Sequence, residues 1–193
     1  MDIQVISTQL DLDFNLMLRR AFLILMDMAN TCHDAWKTGN KKSLENIFYQ
    51  DFDVNKFAYF CLRELNKSQK IMSFGSSILY YLIESMEDLG DELKELGKTL
   101  AKIKPDKDTL NILNKVNELF RISYEFFYTP EKNKAVKAFK LYKEIYSLID
   151  EGLGIKNKDL IKALISIDFS NRIIYHLTTM RLDTLKELSD KGS

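Results

Sequence analysis

Between Leu79 and Leu100 the apolar positions Leu79, Leu82, Met86, Leu89, Leu93, Leu96 and Leu100 fall alternately three and four residues apart over three heptads. That repeat keeps one stripe of an α-helix apolar and predicts shallow-angle packing against neighbouring helices. A less regular version marks a helix from about Ser43 to Lys67, where Leu44, Ile47, Val54, Ala58, Cys61 and Leu65 recur and Ser43 offers an N-cap hydroxyl. Upstream, a helix from Asp13 to about Lys37 carries Leu16, Met17, Arg20, Leu23, Ile24, Asp27, Met28 and Cys32 and meets a stop at Thr38-Gly39-Asn40. The opening Asp2–Leu12 differs, because Ile3, Val5 and Ile6 form a short β-prone run. Residues 1–13 are therefore expected to be a linker or edge strand.

Pro105, flanked by Lys104, Asp106 and Lys107, is the strongest punctuation in mid-chain, since proline halts a helix and its charged neighbours favour solvent. Beyond it the pattern predicts helices at about Thr109–Tyr128, Pro130–Glu151 and Lys158–Leu188, with Pro130 in the first turn of the fifth and Gly152 and Gly154 ending it. The expectation is an all-α fold of two antiparallel three-helix units, residues 14–104 and 105–193, related by duplication.

Composition agrees with that picture. Only 2 Pro and 7 Gly among 193 residues, with 46% hydrophobic and 29% charged, leave too few turn-formers for a many-stranded protein. Lys+Arg and Asp+Glu both number 28, so no net field attracts nucleic acid or an anionic membrane. The longest apolar runs, Ala21–Met26 and Phe57–Leu62, are six residues each, far short of the roughly 20 that span a bilayer. Asp2, Asp11 and Asp13 stand where a secretory signal carries basic residues. Cys32 and Cys61 lack CxxC spacing, as expected of buried free thiols in a reducing compartment. Together these features predict a cytoplasmic protein that neither enters the membrane nor contacts nucleic acid directly.

Catalytic signatures are missing. There is no GxSxG elbow, no Walker loop around Gly75, and no HExxH or ExxH pairing at His33 or His176. The chain is read as a binding protein and not as an enzyme.

One constellation does carry chemistry. Glu84, Glu87, Asp88, Asp91, Glu92 and Glu95 recur at helical spacing away from the leucine seam, with Lys94 the only base in that span. If the second and third helices form an antiparallel hairpin turning near Ile71, Asp51 faces Asp91 and Asn55 faces Glu87. Four oxygen-bearing side chains then converge within about two turns. Crowded carboxylates are unfavourable without a cation, and oxygen-rich groups suit hard or first-row divalent metals. Asp51, Asn55, Glu87 and Asp91 are thus the candidate metal ligands, set against a solvated or Lys/Arg-paired face.

Aromatic residues are the second unusual feature. Phe48, Tyr49, Phe52, Phe57, Tyr59 and Phe60 crowd the second helix, and Tyr124, Phe126, Phe127 and Tyr128 the fourth. Such helices are buried on several sides, by bundle neighbours or in a homodimer or partner interface.

These residues resemble the PhoU-type phosphate-signalling regulators. The run Leu82-Ile83-Glu84-Ser85-Met86-Glu87-Asp88-Leu89-Gly90-Asp91 is similar to that family's leucine, glutamate, arginine, isoleucine, glycine, aspartate signature, and Glu87 and Asp91 occupy its metal-binding positions. Asp51-Phe52-Asp53-Val54-Asn55-Lys56-Phe57 resembles the family's acidic run, with Arg63 and Leu65 continuing the likeness. Leu18-Arg19-Arg20-Ala21-Phe22 through Met28 is similar to archaeal members in which the domain follows an AbrB-like DNA-binding segment, which is missing from this sequence. The second repeat departs from the pattern: Lys140 and Glu144 replace an acidic pair, and Asp168 is followed by Arg172.

The resemblance implies a regulatory adaptor in phosphate uptake or signalling, docking to a phosphate-transporter component or regulator and binding iron, zinc or a similar divalent ion. The competing expectations are a helical dimerisation module serving a DNA-binding segment, and a small-molecule-sensing bundle with its pocket among the aromatics.

Overall fold

No Gly or Pro occurs between Ile3 and Thr38, so nothing interrupts a helix once its downstream turns have formed. In the computed structural model, which describes residues 3–67, 76–154 and 157–190, α1 spans Ile3–Thr38. The opening segment, expected as a linker or edge strand, instead continues that helix, because strand propensity yields readily to context. The packed side of α1 is Phe14, Leu18, Ala21, Phe22, Leu25, Met28, Ala29, Cys32 and Trp36, whereas Leu16 and Leu23 are exposed.

Gly39 ends α1 in the left-handed region, at φ 70°, a conformation open to glycine without steric cost. The side-chain oxygen of Asn40 then accepts from the Ser43 amide at 3.2 Å. Asn40, and not Ser43, therefore caps α2, which spans Lys41–Lys67. Every apolar position expected to define the inner face of α2 is buried: Leu44, Ile47, Val54, Ala58, Cys61 and Leu65. The expected turn near Ile71 lies outside the described residues.

Helix α3 spans Ser76–Leu100, and the full leucine seam from Leu79 to Leu100 is buried. It stops ahead of Pro105, and the connection is tied down where the Trp36 indole donates to the Ile103 carbonyl at 3.1 Å. Asp106 caps α4, Lys107–Tyr128, by accepting from the Thr109 amide at 2.9 Å. Helix α5, Lys132–Gly152, begins after Glu131, so Pro130 precedes the helix and does not occupy its first turn. Helix α6, Lys158–Asp190, starts from Asn157, whose side chain accepts from the Asp159 and Leu160 amides at 3.0 and 3.2 Å.

Helices α1, α2 and α3 pack on one another, as do α4, α5 and α6, and the two units join along α1–α4 and α3–α6. Four inner helices thus share one apolar cluster while α2 and α5 lie outside, each adding one buried stripe. Polar contacts cross within this frame: Thr178 donates to Ser123 at 2.9 Å in the α4–α6 interior, and the Arg19 side chain donates to the Tyr124 hydroxyl at 2.9 Å between α1 and α4. Among the described residues, no helix is long and apolar enough to cross a membrane.

Candidate functional site

Two glycines on α3 let α2 come unusually close. A Cβ at Gly97 would lie 3.0 Å from Ile47 Cδ1 and 3.1 Å from the Leu44 carbonyl oxygen, and one at Gly90 would lie 3.1 Å from Asp51 Oδ1. This approach presses Asp51, only 3% exposed, against the backbone of α3. A carboxylate so desolvated needs a cation. Lys94 provides it, with Nζ 2.8 Å from Asp51 Oδ2 and a second ion pair to Asp91. Asp51 and Asp91 are therefore brought together, but around an ammonium.

The hairpin register is close to the expected one, since Gly90 lies against Asp51 and Gly97 against Leu44 and Ile47. Asp51 meets Lys94 where Asp91 was expected, and the Tyr59 hydroxyl donates to Glu87 Oε1 at 3.2 Å where Asn55 was expected. Both new partners are long side chains, which reach about one turn along the helices. Asn55 is half-buried, and its Oδ1, like Asp51 Oδ1, has no hydrogen-bond partner among the described residues. Glu87 is half-buried and Asp91 exposed.

Electrostatics follow from these positions. Burial raises the Glu87 carboxyl above the usual carboxylate range; the Tyr59 hydrogen bond opposes this, and Glu84, Asp91 and Asp88 add to it. Desolvation works against the Lys94 ammonium, but hydrogen bonds and charge from Asp51 and Asp91 outweigh it, so its pKa is raised. Lys94 is a fixed positive charge throughout the neutral range.

A divalent ion needs several convergent anionic donors. Among the described residues no group of three or more His, Cys, Asp or Glu converges in that way, and of the four expected ligands, two hold Lys94 and one holds Tyr59. As arranged, these residues do not fit a bound metal. The second unit shows the same solution: Arg172 pairs with Asp168 through Nε at 2.9 Å and a terminal guanidinium nitrogen at 2.7 Å, and Lys115 holds Glu144 at 2.8 Å.

The aromatic residues divide into two groups. Phe126 and Phe127 are buried on α4, and Phe127 and Tyr124 pack on Phe22 of α1 with ring centroids 5.2 and 5.7 Å apart. On α2, Phe48, Tyr49, Phe52 and Tyr59 are exposed. Phe48, Phe52 and Tyr59 follow one helical stripe, and Tyr59 joins it to the carboxylates of α3. The result is an aromatic ridge beside an acidic edge. The cysteines are buried and unpaired, and burial pushes the Cys32 thiol up to about 12, leaving it neutral and inert.

No protein-family model matches the sequence, and no curated protein matches it. Solved structures are similar in fold. The crystal structure of PhoU from Pseudomonas aeruginosa superposes with a TM-score of 0.74 at 12% identity, over 91% of this chain and 96% of that one. The chain has a PhoU-type fold. The phosphate transport system regulatory protein PhoU from Streptococcus pneumoniae is similar to the same extent, with a TM-score of 0.73 at 14% identity and the same coverage. Within this PhoU-type fold, the α2–α3 hairpin holds the carboxylates that the motif Glu84–Asp91 pointed to, and its ion pairs are those of this chain's own lysine.

Proposed function

We propose that the chain is a PhoU-like regulatory adaptor in phosphate uptake or signalling, acting in the cytoplasm by docking to a phosphate-transporter component or a regulator. The observation that carries this reading is the PhoU-type likeness over 91% of the chain. The exposed ridge of Phe48, Tyr49, Phe52 and Tyr59 supports it, because a large apolar patch beside charged residues is characteristic of a protein interface. In this role the chain performs no chemistry of its own. It shifts the activity of a partner by binding one of that partner's states more tightly than another.

Deleting the gene in its source organism tests the proposal. Phosphate uptake should remain high when external phosphate is plentiful, and a plasmid copy should restore control. Uptake and phosphate-responsive expression indistinguishable from the parent strain would contradict the reading. The dimerisation-module reading draws on the same ridge, which also suits a second copy of this chain. We expect a homodimer, and light scattering that returns only the monomer mass across the micromolar range would remove it.

A further inference from the structure

We propose that the Lys94 ammonium is the resident cation of the α2–α3 carboxylate site, standing where the sequence motif leads one to expect a divalent metal, so that this site works without metal. The inference does not depend on which partner the chain docks.

Three observations converge on it. Asp51 is nearly fully buried, and its one hydrogen-bonded oxygen is 2.8 Å from Lys94 Nζ. Lys94 also holds Asp91, one turn back on its own helix, so a single tethered ammonium bridges α2 and α3. Among the described residues no three His, Cys, Asp or Glu side chains converge to hold a metal, and Glu87 accepts from the Tyr59 hydroxyl.

The second unit also pairs its carboxylates with its own bases, Arg172 with Asp168 within α6 and Lys115 with Glu144 between α4 and α5. In both units a carboxylate is neutralised by a basic side chain of the chain itself. A tethered cation has a high effective concentration at its carboxylates. A metal ion would have to displace it, breaking two ion pairs and leaving an ammonium that is only 16% exposed in need of new partners.

The test is metal uptake by the purified full chain. Wild-type protein, Lys94→Met and Lys94→Arg are dialysed at neutral pH against manganese, zinc, nickel or anaerobic ferrous iron, and bound metal is measured by elemental analysis. Wild type and Lys94→Arg should take up no stoichiometric metal. Lys94→Met, which exposes the carboxylates to each other, should gain affinity for at least one of these ions by about tenfold or more, the scale on which neighbouring groups tune metal sites. Adding Asp51→Asn to Lys94→Met should abolish that gain. Stoichiometric uptake by wild type that is lost in Glu87→Gln or Asp91→Asn would overturn the proposal. So would a folded Lys94→Met that binds no better than wild type. Should Lys94→Met fail to fold, Lys94→Gln is read in its place, and the wild-type measurement decides against the proposal on its own if metal is bound.

Discussion

Asp51 carries a charge almost wholly removed from water, and the ammonium of Lys94 answers it. Removing one partner of a buried pair leaves the other uncompensated, at about 3 kcal/mol or more, whereas removing both costs much less. Lys94→Met is therefore expected to lower urea-unfolding stability by about 3 kcal/mol, and the double variant Asp51→Asn, Lys94→Met to recover most of it. A loss below about 1 kcal/mol in the single variant would show that Asp51 is not held by this contact. The sequence made the acidic stripe legible, and Lys94 stood out as its one base. Its role was hidden because residue spacing sets Asp51 level with Gly90 and Asp91 but does not show that the long Lys94 side chain reaches back to both carboxylates. The register itself is the expected one, because Gly90 and Gly97 let the helices touch where Asp51 and Leu44 lie opposite them.

Helices whose apolar residues form a narrow stripe were readable residue by residue. The seam of α3 and the inner face of α2 are both buried as the 3–4 spacing required. Helix α1 was less legible, because apolar residues cover much of its circumference and the side that packs is chosen by the bulk of Phe14, Phe22 and Trp36. Its first turns carry β-prone residues but no breaker, so helix propagation prevailed. The close contact of α2 with α3 has its own consequence. Alanine is favoured over glycine inside a helix by about 1 kcal/mol, yet a methyl group at Gly97 would meet the Leu44 carbonyl oxygen at 3.1 Å, and that backbone cannot rotate away as a side chain can. Gly97→Ala should therefore be destabilising by about 1–2 kcal/mol in urea unfolding. A net gain in stability would mean that the helices have room to separate.

At the scale of the whole molecule, the two three-helix units enclose one core through α1, α3, α4 and α6 and leave the outer side of α2 to solvent. This architecture accounts for the division of the aromatics: Tyr124 and Phe127 of α4 pack at the joint between units, Phe57 and Phe60 of α2 pack against the core, and Phe48, Tyr49, Phe52 and Tyr59 of α2 are exposed. Sequence alone left both sets open to either fate, because burial by a neighbouring helix and burial by a partner demand the same composition. The proposed adaptor role requires such a surface, and α2, packed on α1 and α3, presents one. The most direct measurement is surface plasmon resonance of the purified chain against a phosphate-transporter component and a phosphate-responsive regulator from its source organism. We predict saturable binding to at least one of them, weakened about tenfold or more by the paired change Tyr49→Asp and Phe52→Asp, since aromatic anchors dominate such interfaces. Absence of binding to either, or binding unaffected by the paired change, would contradict docking through this face.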